Sequence, residues 1–145
     1  MAESPAHKLG QLIGLAIERA LEEPLHAFGR QHGLYLDKKG PRPGRNGVKV
    51  TWLDKYRNTH DLDFVFERGG SNVVRGQPAA FIEVAWRRYT KHSRNKVQEI
   101  QGAITPLRDT YQGLSPFAGV VLAGVFTDGS LQQLRSHGFS ILFFP

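Results

Sequence analysis

Apolar positions near the start of the chain recur at helical spacing. Residues 5–28 show this period and predict an amphipathic helix whose buried stripe is Leu9, Leu12, Ile13, Ala16, Ala20 and Leu21. Ser4, which is followed by a proline, is typical of a helix start. We expect Pro24 to kink or shorten this helix and Gly29 or Gly33 to end it.

Strand-like patterns occupy much of the remaining chain. The predicted strands span residues 34–36, 48–53, 61–67, 79–86, 117–127 and 139–144. The fourth of these is more apolar than the two before it and fits a central position, and the valine-rich fifth fits a strand that is buried on both faces. Two further helices are predicted over 93–104 and 128–134.

This order of elements predicts an α/β fold with a mixed central β-sheet flanked by helices. The strands between 48 and 86 can pair through short turns as a meander, whereas the later strands need helical crossovers and should be parallel to their neighbours. A chain of 145 residues suffices for one hydrophobic core, so we expect a single domain over 1–145.

Composition limits the kinds of site that this domain can carry. The chain has no cysteine, so a metal would need carboxylate, imidazole or backbone oxygen ligands. The first residues lack the apolar core of a signal peptide, and the longest apolar run, 117–126, is too short to span a bilayer. We therefore expect a cytoplasmic protein that does not use a membrane as its partner.

The positive charge of the chain falls into two local clusters. The net charge is +6, which favours phosphate-rich partners such as DNA. One cluster consists of Arg87, Arg88, Lys91, His92, Arg94 and Lys96, and the other of Lys38, Lys39, Arg42, Arg45 and Lys49. Tyr89 lies within the first cluster and could stack on a base. The clusters predict a nucleic-acid footprint, with a merely solvated helix face as the alternative.

Acidic side chains in two neighbouring predicted strands are the candidates for chemistry. Asp61 and Asp63 alternate onto one face of their strand, and Glu83 lies inside the apolar run of the next. A buried carboxylate needs a cation, a metal or a hydrogen-bond network. Carboxylates on adjacent strands can form an oxygen-ligand site that suits Mg²⁺, with waters and a substrate phosphate completing the coordination.

Each acid also has a plain structural interpretation. Asp61 follows Thr-His at a strand end and fits a capping role, so Asp63 is the preferred ligand. Asp63 alone could be an ordinary edge-strand acid. Glu83 could form a structural ion pair with Arg57 or Lys96. The order and spacing of the acids, taken together, favour a functional site.

The same residues resemble the PD-(D/E)XK nuclease superfamily, the fold of many type II restriction enzymes and archaeal Holliday-junction resolvases. In that family a helix precedes a β-meander with an Asp and a (D/E)-x-K tripeptide. Asp63 and the tripeptide Glu83-Val84-Ala85 match these motifs, and the resemblance covers about residues 5–127. It implies that Asp63, Glu83 and the carbonyl of Val84 hold Mg²⁺, for which Mn²⁺ can substitute.

The lysine of the family motif is replaced by Ala85 in this chain. Arg87 follows on the same strand face, Lys91 lies in the loop after the strand, and Lys96 falls in the first turn of the second predicted helix. We favour Lys96 as the catalytic lysine, because a rigid helix positions a group better than a loop does, and we keep Lys91 as the second choice.

The first helix of this family often carries a glutamate that faces the metal. Glu18 is the candidate here, although it borders Leu21 and Leu25 and lies opposite most of the predicted apolar stripe. The resemblance therefore implies Glu18 as a helix acid of the site.

The sequence thus predicts a Mg²⁺-dependent endonuclease that hydrolyses DNA, of restriction, defence or repair type. A sequence-specific enzyme of this size would act as a homodimer, or the chain would be a subunit of a larger nuclease assembly. The alternative is a nuclease-fold module that binds nucleic acid without cutting it, and Ala85 is its main support.

Overall fold

The computed structural model describes residues 4–145. The first element of this part of the chain is helix α1, Pro5–His32. As predicted, Ser4 caps the helix, because its hydroxyl oxygen accepts the His7 N–H at 3.1 Å. Gly33 ends it in the left-handed conformation, with a φ of 68° that glycine adopts without steric cost. Pro24 lies inside the helix and does not shorten it.

The buried side of α1 differs from the predicted stripe. Leu9 and Leu12 are more than half exposed, so their predicted burial is wrong. The α1 side chains that pack against the sheet are Ile17, Leu21 and Leu25. Gly29 sets this rotation, because it lies so close to the Leu34 carbonyl and the Phe66 ring that a Cβ atom would not fit.

The central sheet has five strands in the order β1-β4-β5-β6-β7. These strands are β1 Tyr35–Lys38, β4 Phe64–Arg68, β5 Gln77–Arg87, β6 Phe117–Gly124 and β7 Ser140–Phe144. The pairs β1–β4 and β4–β5 are antiparallel, whereas β5–β6 and β6–β7 are parallel. The prediction of an α/β fold with a mixed sheet, and of a central position for β5, is confirmed.

Helices cover the two faces of this sheet. Helix α2, Thr90–Thr110, and helix α3, Asp128–Ser136, share one core with Phe81 and Ala85 of β5. Helix α1 packs on the opposite face, which carries Ile82 and Val84. The predicted alternation of β5 side chains is therefore correct. No helix within residues 4–145 is long and apolar enough to cross a membrane.

The predicted three-stranded meander is wrong, because its first strand does not belong to the central sheet. Strands β2, Val50–Leu53, and β3, Thr59–Leu62, form a separate antiparallel hairpin. The single strand predicted over 61–67 is broken at Asp63, between β3 and β4. The place beside β4 that the meander gave to the preceding strand belongs to β1.

Helix α2 is longer than predicted at both ends. It starts at Thr90 rather than Ser93 and continues through Pro106 to Thr110. Lys91 therefore lies on the helix, so its predicted loop position is wrong. Lys96 falls one turn further along the helix than predicted, because the helix starts earlier.

The loop between β1 and β2 is held in place by the buried Arg42 and the partly buried Arg45. The Arg42 guanidinium donates to both carboxylate oxygens of Glu67, at 2.7 and 3.0 Å, and to the carbonyls of Ser71 and Val74. Arg45 donates to the Asp37 carboxylate at 2.6–2.7 Å. The predicted phosphate contacts of Arg42 and Arg45 are therefore corrected, since these guanidinium groups serve the loop.

Glu67→Gln should lower the free energy of unfolding by about 3 kcal/mol, because the buried Arg42 guanidinium loses its bidentate carboxylate and keeps only Asp37, at 3.2 Å, as an ionised partner. Urea unfolding measures this difference. Glu23→Gln is the matched control, since the pair of Glu23 with Arg30 is exposed and should contribute less than about 1 kcal/mol. Equal effects of the two substitutions would contradict the structural role of Arg42.

Candidate functional site

Asp63 lies where the chain leaves the β2–β3 hairpin and enters the central sheet. Strand β4 begins at Phe64, which pairs with Ile82, so β5 continues beyond its antiparallel neighbour. Asp63 binds this free edge of β5 twice. Its carboxylate accepts the Val84 N–H at 2.8 Å, and its own N–H donates to the Glu83 carboxylate at 3.2 Å. The backbone thus holds the two predicted acids together.

Glu83 is almost completely buried on the α2 side of the sheet. It lies between Phe81 and Ala85, which are both part of the core beneath α2. The Lys96 ammonium, which projects from α2, lies 4.0 Å from the Glu83 carboxylate and 3.6 Å from that of Glu99. Among the predicted substitutes for the motif lysine, Lys96 is the one that the structure brings to Glu83.

Lys39 and Glu18 complete the group of charged side chains around Asp63. The Lys39 ammonium lies 2.7 Å from the Asp63 carboxylate and 3.0 Å from the Glu18 carboxylate of α1. Glu18 also forms a side-chain hydrogen bond with Asp63. Glu18 reaches the site because it lies beside the α1 residues that pack on the sheet. We call Glu18, Asp63, Glu83 and the ammonium groups of Lys39 and Lys96 the carboxylate cluster.

Burial governs the protonation of this cluster. Burial and the neighbouring Asp63 charge raise the pKa of Glu83 far above its usual range, although Lys96 opposes this shift. Burial and Asp63 likewise raise the pKa of Glu18 to about 7. Burial disfavours ionised Asp63 too, but hydrogen bonds from Glu18, Lys39 and the Val84 N–H prevail and lower its pKa. Burial thus disfavours the ionised forms of Glu83 and Glu18, whereas the hydrogen bonds of Asp63 favour its ionised form.

A groove of about 740 Å³ opens beside the cluster. Its floor is the end of β5 from Val84 to Arg87, and its opposite wall is the first half of α1. The residues of the first basic cluster that line it are Arg87, Arg88 and His92, together with the aromatic side chain of Tyr89. The Arg88 guanidinium lies 5.5 Å from the centre of the Tyr89 ring. Glu18 lines this groove as well, so the groove leads to the carboxylate cluster.

Other residues of the two basic clusters lie outside the carboxylate cluster. Lys91 and Arg94 are exposed at the start of α2. Lys38 pairs with Glu22 of α1 at 3.5 Å. Lys49 lies 3.7 Å from Asp61, whose carboxylate accepts the Thr51 hydroxyl within the hairpin. The hydrogen bond and ion pair of Asp61 thus both lie within or next to the hairpin.

The sequence did not indicate that Lys39 lies in the carboxylate cluster. It was predicted to contact phosphate, whereas the structure places its ammonium between Glu18 and Asp63. The signal that could have found it is the pairing of β1 with β4, because this pairing sets the end of β1 beside the start of β4.

No family model matches the chain, and neither a curated protein nor a solved structure matches it. No group of three or more histidine, aspartate or glutamate side chains in the described residues, 4–145, is arranged to hold a metal ion. The chemistry of Asp63, Glu83 and their immediate neighbours is therefore the basis for a functional proposal.

Glu83→Gln should stabilise the protein at pH 8 in the absence of divalent cations. A carboxyl whose pKa is raised by folding contributes most at low pH, and this contribution is lost as the pH rises above the usual value of 4.5. The glutamine removes this loss, so we expect a gain of about 1 kcal/mol or more at pH 8 and little change at pH 4.

Thermal unfolding at pH 4 and pH 8 measures this difference. Glu99→Gln is the control, because Glu99 is exposed and also lies near Lys96. If Glu83→Gln is less stable than the wild type at pH 8, the description of Glu83 as a destabilising buried acid is wrong.

Proposed function

We propose that this chain is a Mg²⁺-dependent endonuclease that hydrolyses phosphodiester bonds in DNA, as the PD-(D/E)XK resemblance implies. The observation that carries the proposal is the junction of Asp63 with Glu83. These two buried acids lie side by side at the edge of β5 that β4 leaves unpaired. A groove with basic and aromatic side chains opens next to them. We further propose that the protein acts in the cytoplasm.

The residues of the cluster fit a Mg²⁺ ion. Mg²⁺ prefers oxygen ligands and is usually held by one or two carboxylates, while waters and substrate phosphates supply the rest, so a preformed set of three acidic ligands is not required. Asp63 and Glu83 would hold the ion together with the Val84 carbonyl, and Glu18 lies beside them. A divalent cation at this place would favour the ionised forms of Glu18 and Glu83, whose pKa values burial and the Asp63 charge raise.

Such an ion would offset the negative charge that develops on the phosphate oxygens and favour the ionisation of a bound water. The side chains of the protein would position the reacting groups. Asp63 and Glu83 would hold the cation, and the Lys96 ammonium on α2 can orient a water beside Glu83. Lys96 thus takes the role that the family motif gives to the position of Ala85. Among the described residues, no ion pair joins Lys91 to the cluster.

The groove supports a nucleic-acid substrate. Arg87, Arg88 and His92 can contact backbone phosphates, and Tyr89 presents an exposed ring on which a base can stack. Arg94 lies in the same exposed first part of α2. A nucleic-acid strand bound in this groove would pass Glu18 and reach the carboxylate cluster.

A second candidate function is nucleic-acid binding without cleavage. The ion pairs of Lys39 favour it, because the Lys39 ammonium already contacts Asp63 and Glu18 and can neutralise them without a metal. The replacement of the motif lysine by Ala85 points the same way. In this case the cluster would be a structural ion network beside a binding groove.

Asp63→Asn and Glu83→Gln should each reduce Mg²⁺-dependent nicking of plasmid DNA by at least about a hundredfold, because each removes a charge that holds the metal. Gel electrophoresis of the plasmid, with Mn²⁺ as a second metal, measures this. Asp61→Asn is the matched control, since Asp61 lies in the hairpin outside the cluster. Gel shifts that show binding, together with no cleavage by the wild type on any DNA or RNA substrate, would establish the second candidate instead.

Lys96→Met should slow single-turnover cleavage by about 10²–10³-fold, the typical effect of losing one donor that stabilises a transition state. Affinity for uncleaved DNA should change little. Lys91→Met is the control and should retain most of the rate, because Lys91 is exposed on the first turn of α2. The opposite ranking of these two variants would assign the catalytic role to Lys91.

A further inference from the structure

One part of the sheet presents an apolar face to solvent. Helix α1 makes its main contacts with β5 and β1. On the same face of the sheet, the outer strands β6 and β7 carry exposed side chains. Phe117 of β6 and Leu142 and Phe144 of β7 each expose about half of their surface. In the register of the strands, Val121 pairs with Leu142 and Ala123 with Phe144, so these side chains form one continuous surface.

The two strands that form this surface are parallel to each other. Parallel strands are usually covered by other elements on both faces. Helix α3 covers one face of β7, where Ile141 and Phe143 pack against the core. The opposite face of β6 and β7, with Phe117, Leu142 and Phe144, lacks an equivalent cover within the described residues, 4–145.

An exposed apolar stripe of α1 borders the same surface. Glu18 lies on the flank of α1 that faces Asp63 and therefore β4. The opposite flank faces β6, because β5 lies between β4 and β6 in the sheet. This flank carries the exposed or half-exposed apolar residues Leu9, Ile13, Ala16 and Ala20. The apolar stripe that the sequence indicated on α1 thus exists, but it borders the open sheet face instead of the core.

The combined surface is as large as the main apolar patch of a typical monomer. Half of a large apolar side chain corresponds to roughly 100 Å², so four half-exposed residues, Leu9, Phe117, Leu142 and Phe144, present about 400 Å². The largest apolar patch on a typical monomer covers about 300–600 Å². The smaller neighbours on α1 and β6 bring the total toward the ~800 Å² that each partner contributes to a stable interface.

We propose that a second copy of this chain covers this surface, through a two-fold interface in which the β6–β7 faces of the two copies pack on each other. Packed sheets lie about 10 Å apart, which is also the thickness of a helix layer. The sheet of the partner would therefore occupy the same layer as α1, and the exposed α1 stripe of each copy would pack along β7 of the other.

Local charge does not oppose self-association at this place. The net charge of +6 opposes the approach of a second copy, and this repulsion is strongest at faces that carry basic side chains. Strands β6 and β7, Phe117–Gly124 and Ser140–Phe144, contain no charged residue. An isologous interface sets each patch against its own copy, so an uncharged patch meets no like charge there. This proposal does not depend on nuclease activity.

Sedimentation velocity tests the interface directly. The wild type should sediment as a dimer, with twice the 16.2 kDa mass of one chain, at micromolar concentration. The double variant Leu142→Glu, Phe144→Glu should be a monomer, and Leu9→Glu on α1 should weaken dimerisation at least tenfold. Val73→Glu is the matched control, because Val73 is exposed in the turn between β4 and β5 and lies outside the surface.

Three outcomes would overturn the proposal. They are a wild type that stays monomeric over the whole concentration range, a dimer that survives the double substitution in β7, and a dimer that is broken by the β7 variant but untouched by Leu9→Glu. The last outcome would indicate pairing of β7 edges without packing of the faces. Leu9 lies on an exposed helix position outside the core, so this variant keeps the test decisive even if the β7 variant does not fold.

Discussion

The paired hydrogen bonds between Asp63 and β5 determine where the candidate site lies. Because β4 begins one residue after Asp63, the Val84 N–H at the edge of β5 has no strand partner on that side, and the Asp63 carboxylate accepts it. The Asp63 N–H in turn donates to Glu83. Hydrogen bonds to ionised groups typically contribute about 1.5–3 kcal/mol, so the backbone offsets part of the repulsion between two buried acids. The acids remain adjacent although burial and the Asp63 charge disfavour the ionised form of Glu83.

The positive charges of the chain serve two different purposes. In the loop after β1, Arg42 and Arg45 neutralise the buried acids Glu67 and Asp37, and the loop so fixed presents Lys39 to Asp63. In the segment from β5 into α2, the basic residues line an open groove. The net charge of +6 therefore overstates the basic surface that is free of acidic partners, and three of the basic side chains, Arg87, Arg88 and His92, line the groove beside α1. The same distribution leaves the outer strands β6 and β7 free of charge.

Local patterns in the sequence predicted the mixed sheet, the capping by Ser4 and the burial of Glu83, since each depends on spacing along one segment. Features that depend on distant segments were missed. The break at Asp63 is not visible in the strand-like pattern of residues 61–67, because it arises from the pairing of β3 with β2 and of β4 with β1. The burial of Arg42 depends on Glu67, which lies 25 positions away. Helix α1 carries two apolar stripes, and packing against the sheet decides which one is buried.

Diffraction from crystals soaked in Mn²⁺, recorded for anomalous scattering, tests the central claim that Asp63 and Glu83 hold a divalent cation. The account predicts an anomalous peak bonded to both carboxylates and to the Val84 carbonyl, with the Lys39 ammonium displaced from Asp63. Crystals that show no peak at this position under saturating Mn²⁺, and in which Lys39 still bridges Glu18 and Asp63, would contradict the claim and identify the cluster as a structural ion network.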